Sequence, residues 1–222
     1  MVRFNIDDEI DWKTFFGGNA ANEVTRGTCI GHKTDGEVYM GGSTTSASMI
    51  HQQLGIEFIQ TTANTGVYKG FIARLSKANG ERQWSTYYGD NNTFINGMVG
   101  LAGKKIFIVG STASTIPDLD VAPPPNSTYW AYSNETDGFI SMFGDNDQHA
   151  WRTHIPGSAN DPAYDVDATG GQVVVMGNTH SEDLIIPSLS TTPYVHGHFG
   201  TVGGEDRYLY EFDEYGAWHW ST

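Results

Sequence analysis

Cysteine is all but missing. Cys29 stands alone, which excludes an intrachain disulfide and any cysteine-based zinc site. Charge is sparse at 17% of residues, against the ~25% usual in soluble domains. Basic charge is sparser still beyond residue 112, where sixteen acidic residues face only Arg152 and Arg207. The first 112 residues carry ten of each sign, so the whole net charge of -14 belongs to the second half. Such a surface repels phosphate backbones and anionic lipid, so neither nucleic acid nor a membrane surface is an expected partner. No stretch approaches the ~18 apolar residues of a spanning helix, and no membrane insertion is expected. Runs of helix formers are also lacking, and only Met49 to Ile59 reads as a short helical candidate. Met1 to Trp12 is acidic and polar without a signal-peptide pattern. The chain has no Gly-x-Ser-x-Gly elbow, no phosphate-binding loop, no dinucleotide fingerprint and no His-Glu-x-x-His. No catalytic or cofactor-binding residue is therefore assigned, and an enzyme is the less favoured class.

What is present is glycine, threonine and aromatics in a repeating order. Trp12-Lys13-Thr14-Phe15-Phe16-Gly17-Gly18 returns as Trp84-Ser85-Thr86-Tyr87-Tyr88-Gly89-Asp90. It returns more weakly as Trp151-Arg152-Thr153-His154-Ile155-Pro156-Gly157, and begins again at Trp220-Ser221-Thr222. A second element, Val38 to Thr44, matches Ile106 to Thr112 and Val173 to Thr179. A third, Gly70 to Leu75, matches Gly138 to Phe143 and Arg207 to Phe212. Three anchors held in one order at one period of about seventy residues define a tandem repeat.

Each anchor reads as a strand. Phe71, Ala73 and Leu75 alternate with Ile72 and Arg74, the period of two that a pleated strand requires. Val173 to Met176 is continuously apolar, the pattern of a strand covered on both faces. Asn79-Gly80 and Tyr215-Gly216 mark hairpin turns before the tryptophan strand. A further strand is expected around Val24–Ile30, Ile95–Leu101 and Ala163–Ala168. The fold class is thus all-β, with three four-stranded antiparallel β-propeller blades forming a partial propeller. Residues 1–18 form a strand hairpin of an incomplete preceding blade, 19–90 blade one, 91–157 blade two and 158–222 blade three. Trp12, Trp84, Trp151 and Trp220 are read as blade-to-blade packing anchors.

The order Gly-Phe-Ile-Ala-Arg-Leu, Asn-Gly, Trp-Ser-Thr-Tyr-Tyr-Gly and Ile-Val-Gly-Ser-Thr from Gly70 to Ser114 resembles the bacterial β-propeller repeat family called SBBP. Gly55, Phe58, Thr61 and Thr62 resemble a loop stretch of that family. The likeness weakens where Arg207 replaces glycine and where His154-Ile155-Pro156 replaces Tyr-Tyr-Gly. It implies a non-catalytic scaffold or adhesion module of a secreted or cell-surface bacterial protein; the signal of an exported protein would lie outside this sequence. Three blades are fewer than a closed propeller needs, and two strands are missing before the Val2 to Trp12 hairpin, so a fragment completed by upstream sequence or by another chain is expected. The expected partners are other blades, upstream or in another chain, and a glycan or protein ligand.

The ligand-bearing candidates are few. The loops between the second and third strands of each repeat run to about 25 residues, far beyond the ~2–5 of a hairpin, and the strands leave them free to vary. In the middle one, Pro123-Pro124-Pro125 precedes Tyr129, Trp130 and Tyr132. These aromatics break the repeat pattern and are assigned as partner or ligand contacts, with stacking on a sugar ring as the alternative function. His196 and His198 form a potential chelating pair that lacks a third ligand. Asp145-Asn146-Asp147, and Asp161 with Asp165 and Asp167, offer oxygens of the kind that hold calcium, without an EF-hand pattern. A hydrolase with an acidic site built from several loops is the least favoured reading.

Overall fold

The computed structural model describes residues 1–18, 23–51, 55–61, 66–90, 92–116, 123–133, 135–155, 157–184 and 204–222. These residues are all-β, and the only helical turn among them is a short 3-10 turn at Asp145–Asp147. The expected helix at Met49 to Ile59 does not form in its described residues. His51 there pairs with Ser85 as an antiparallel bridge.

Strands β1 (Val2–Phe4) and β2 (Ile10–Lys13) make a two-stranded hairpin. The first four-stranded sheet follows, from β3 (Thr25–His32), β4 (Val38–Thr44), β5 (Lys69–Leu75) and β6 (Arg82–Tyr88). The second comprises β7 (Phe94–Leu101), β8 (Lys105–Thr112), β9 (Asp137–Phe143) and β10 (His149–Ile155). The third comprises β11 (Ala163–Thr169), β12 (Gln172–Thr179), β13 (Asp206–Asp213) and β14 (Trp218–Ser221). Every sheet is an antiparallel meander of consecutive strands, as the repeat demands.

The alternation along each strand places alternate side chains on the two faces of its sheet. Tyr39, Trp84 and Tyr88 of the first sheet meet Ile106, Ile108, Phe139 and Phe143 of the second. The opposite face of the second sheet, with Phe107, Val109, Ile140, Met142 and Trp151, meets Val173, Val175, Tyr210 and Phe212 of the third. Both clusters exclude water from large aromatic surfaces, at about 25 cal/mol per Å² of apolar area removed.

The recurring sequence elements do equivalent work in each sheet. Thr44, Thr112 and Thr179 end the second strands, and each hydroxyl accepts a hydrogen bond from the backbone N–H two residues on. The glycines two positions earlier let the first strand lie close. A Cβ at Gly42, Gly110 or Gly177 would run into the carbonyl of Arg26, Phe94 or Pro162. Trp12, Trp84 and Trp151 are buried against the layer that follows, whereas Trp220 is half-buried on the outward face of the third sheet. Trp12 donates its indole N–H to the Lys77 carbonyl (3.1 Å), and Trp151 donates to that of Glu214 (3.1 Å). Each lies over a turn glycine, Gly80 or Gly216, where any side chain would strike the indole.

The first strands carry one bulged residue apiece at the same register, Thr28, Asn96 and Tyr164. A bulge re-aims its side chain, and here it aims sideways to the next first strand. Thr28 Oγ1 donates to the Ile95 carbonyl, and Asn96 Nδ2 donates to the Ala163 carbonyl at 2.8 Å. Strands β3, β7 and β11 are thereby tied side by side.

A second expectation is corrected. Strand β12 is not covered on both faces. Val173 and Val175 are fully buried, but Met176 is 43% exposed, because its face looks away from the second sheet.

Candidate functional site

The three loop aromatics divide into a packing residue, Trp130, an exposed ring, Tyr129, and a half-buried one, Tyr132. Trp130 sits edge-on to Trp218 (5.1 Å between centroids), Tyr210 (5.8 Å) and Phe212 (6.2 Å) of the third sheet. Its N–H donates to Thr153 Oγ1 at 2.7 Å, and its carbonyl accepts from the His154 N–H at 3.3 Å, so the loop lies against strand β10. Two residues earlier, the Thr128 N–H donates to the Gly216 carbonyl at 2.7 Å.

The first sheet does the same thing. Phe58 packs at 5.8 Å on Phe143 and at 5.2 Å on His149, and its N–H donates to the Asp147 carbonyl at 3.1 Å. Phe143 and His149 occupy the register positions of Phe212 and Trp218. Trp130 is thus the counterpart of Phe58, and the reading that its ring lies outside the repeat pattern is corrected. In these two loops the described segment lies over the outer strand of its own sheet and plugs an aromatic ring onto the next hairpin. The exposed polar edge of the outer strand is the physical reason for such cover.

Tyr129 and Tyr132 differ from it. Tyr129 is 59% exposed, with the Arg152 guanidinium over its ring at 5.4 Å from the centroid. Tyr132 is half-buried beside the ring of His154 at 5.7 Å. Burial pushes the His154 imidazole down to about 4, so it is neutral at physiological pH. Tyr129 and Arg152 form an open cation–π pair, the geometry that can stack on a flat ligand face.

The acidic candidates are held by protein groups. Asp147 is fully buried at the junction of the first and second sheets. Its carboxylate receives Lys33 Nζ at 2.9 Å, Tyr39 OH at 2.5 Å and Arg74 Nη1 at 2.5 Å. Glu57 lies 3.9 Å from Arg74, and Lys33 also donates to the Gly144 carbonyl at 2.8 Å. Burial lowers the Lys33 pKa from its ordinary value. A carboxylate enclosed by two cations already has its charge balanced, which leaves it little to offer calcium.

Asp161 accepts hydrogen bonds from Thr179 Oγ1 (2.6 Å) and Ser181 Oγ (2.7 Å), in the place where Thr93 bonds Thr112 one repeat earlier. Desolvation raises its pKa. Neighbouring Asp137, buried and bonded to Ser133, is pushed up to about 6 by desolvation, with the charge of Asp161 adding to the effect. Asp165 and Asp167 are exposed on β11, each accepting from the N–H of the residue that follows it. Among the described residues no group of three or more His, Cys, Asp or Glu is placed to hold a metal ion. His196, His198 and Thr62 lie outside the described residues.

Sequence reasoning missed the cluster of Lys33, Tyr39, Glu57 and Arg74 around Asp147. One signal was available. Arg74 interrupts an otherwise apolar strand, and Asp147 stands where the turns of the first and third sheets carry Gly80 and Gly216. No family model matches the chain, and no curated protein matches it.

Proposed function

We propose that the three sheets are blades of a β-propeller array of the SBBP kind, and that the chain is a non-catalytic scaffold or adhesion module of a secreted or surface bacterial protein. The observation that carries this reading is the use made of the chemically versatile side chains. Asp147, Asp161 and Trp130 all hold one sheet to the next or one loop to its sheet. The side-by-side first strands and the single order of strands in all three sheets support the blade assignment. Its partners in this reading are further blades, upstream or in another chain. Exposed Phe4 at one end and Met176 at the other are the surfaces such neighbours would cover.

A second reading, carbohydrate binding, is favoured by one observation, the exposed Tyr129 ring beside Arg152. A glycan array probed with the chain and with Tyr129→Ala separates the two. Scaffold function predicts no glycan signal above background. A signal that disappears in Tyr129→Ala establishes the carbohydrate reading instead. Turnover of glycoside substrates by the chain would overturn both.

A further inference from the structure

Four hairpins in this chain share one design, and the residue at one turn position records what each was built to meet. In every hairpin the strand pairing slips by one residue just before the tryptophan, at Asp11, Gln83, Ala150 and His219. The turns that follow Phe4, Phe143 and Phe212 all contain five residues. Their fourth position has positive φ in each case, at Asp8 (60°), Asp147 (58°) and Gly216 (87°). Gly80 (70°) is the corresponding residue in the slightly longer turn of the first sheet.

Two kinds of junction follow from that position. Where it is glycine, the preceding layer lays a tryptophan over it and donates the indole N–H to a turn carbonyl, as Trp12 and Trp151 do. Where it is aspartate, in Asp147, the preceding layer supplies Arg74, Tyr39 and Lys33 to its carboxylate, while Trp84 donates instead to the Phe58 carbonyl. Arg74 lies opposite Trp84 on the neighbouring strand, and Arg3 lies opposite Trp12 in the same way. Arg3 likewise reaches the turn of the next layer, donating to the Lys77 carbonyl. Arginine at that place is therefore a reader of the next turn.

Asp8 is the aspartate kind, and it is exposed. Around it the outward residues of the hairpin are apolar: Val2 is 47% exposed, Phe4 58% and Ile10 57%. Val2 and Phe4 hold the register places that Ala73 and Leu75 hold in the first sheet, both of them buried. We infer that the β1–β2 hairpin is a docking surface for a further β-sheet whose face presents arginine opposite an outer-strand tryptophan and tyrosine on the adjoining strand, with Asp8 as the buried counter-ion. This rests on the junction geometry, and on the scaffold reading only in naming the partner as another sheet of the same kind.

The third sheet supplies the probe. Its outward face already carries Trp220, but Glu211 stands at the arginine place and Val174 at the tyrosine place. Glu211 against Asp8 sets like charges together, so wild-type chains should not dock end to end. The double variant V174Y/E211R converts that face to the complementary kind. Sedimentation equilibrium of this variant should show end-to-end association at least about tenfold tighter than wild type at low salt. Adding D8K should return it to wild-type behaviour. Glu211 is nearly buried, so a second arm leaves it intact. D8R alone, at an exposed site, pairs with the native Glu211 and should also promote association. Circular dichroism confirms that each variant is folded. The proposal is overturned if neither V174Y/E211R nor D8R associates more tightly than wild type, or if D8K leaves the association of V174Y/E211R unchanged. Glycan binding is untouched by these variants, so the outcome is separate from that of the array experiment.

Discussion

Asp137 and Asp161 show how one substitution changes the chemistry of a repeated position. Residue 137 is lysine in the first repeat (Lys69), and residue 161 is threonine in the second (Thr93). In the third junction the two positions are both carboxylates, joined by a backbone bridge and buried. Desolvation favours the neutral form, so the Asp137 pKa rises to about 6 from an ordinary ~4. A raised folded-state pKa gives a stabilising contribution that is fully present below the unfolded value and is lost as pH rises through the folded one. Stability should therefore decline between about pH 4 and pH 6, by ~1–2 kcal/mol after allowance for relaxation around the site. Asp137→Asn keeps an acceptor for Ser133 and removes the titration. Urea midpoints measured from pH 4 to 7 should fall for the wild type and stay flatter for the variant. Parallel profiles for the two proteins would refute the assignment.

Among the elements, the long loops were the least legible part of the sequence. The strands were readable because pleat geometry imposes a period of two, and because Gly42, Gly110 and Gly177 meet a carbonyl that tolerates no side chain. The loops obey a weaker rule, one aromatic ring placed on the next hairpin, which Phe58 and Trp130 satisfy with different residues. That rule leaves too few fixed positions to show in the sequence. The same is true of the site, where exposed Tyr129 and its neighbour Trp130 look alike in sequence and differ in what they touch. The fading of the repeat at Arg207 also has a local cause. A Cβ at Gly70 or Gly138 would press on the following sheet, whereas the Arg207 side chain is 70% exposed. Trp130→Ala should lower stability by roughly 3–4 kcal/mol, as for other buried aromatic truncations, discounted for its partial exposure. Tyr129→Ala should stay within about 0.5 kcal/mol. Equal losses in thermal or urea unfolding would show that the two rings share one role.

At the scale of the molecule, the stacked sheets differ most in charge. The sequence from residue 113 onward holds sixteen acidic and two basic residues, and it supplies half of the second sheet and all of the third. Two of the cations, Lys33 and Arg74, are buried against Asp147 and offset none of this surface. Self-repulsion among exposed carboxylates opposes compaction, and salt weakens it over a screening length of ~10 Å at 0.1 M. Sodium chloride should therefore stabilise the chain rather than weaken it, because its principal ion cluster is screened little and its surface repulsion is screened strongly. The increment should be on the order of 1 kcal/mol between 0.02 and 0.5 M salt, read from urea unfolding because urea adds no ions of its own. Asp165 and Asp167 provide the specific test. Both are exposed on β11, and each accepts a hydrogen bond from the next backbone N–H, which asparagine can also accept. The double variant Asp165→Asn/Asp167→Asn should be more stable than wild type at low salt and should lose that advantage at high salt. An advantage that persists undiminished at 0.5 M salt would assign the effect to local conformation instead of to the field of the acidic half.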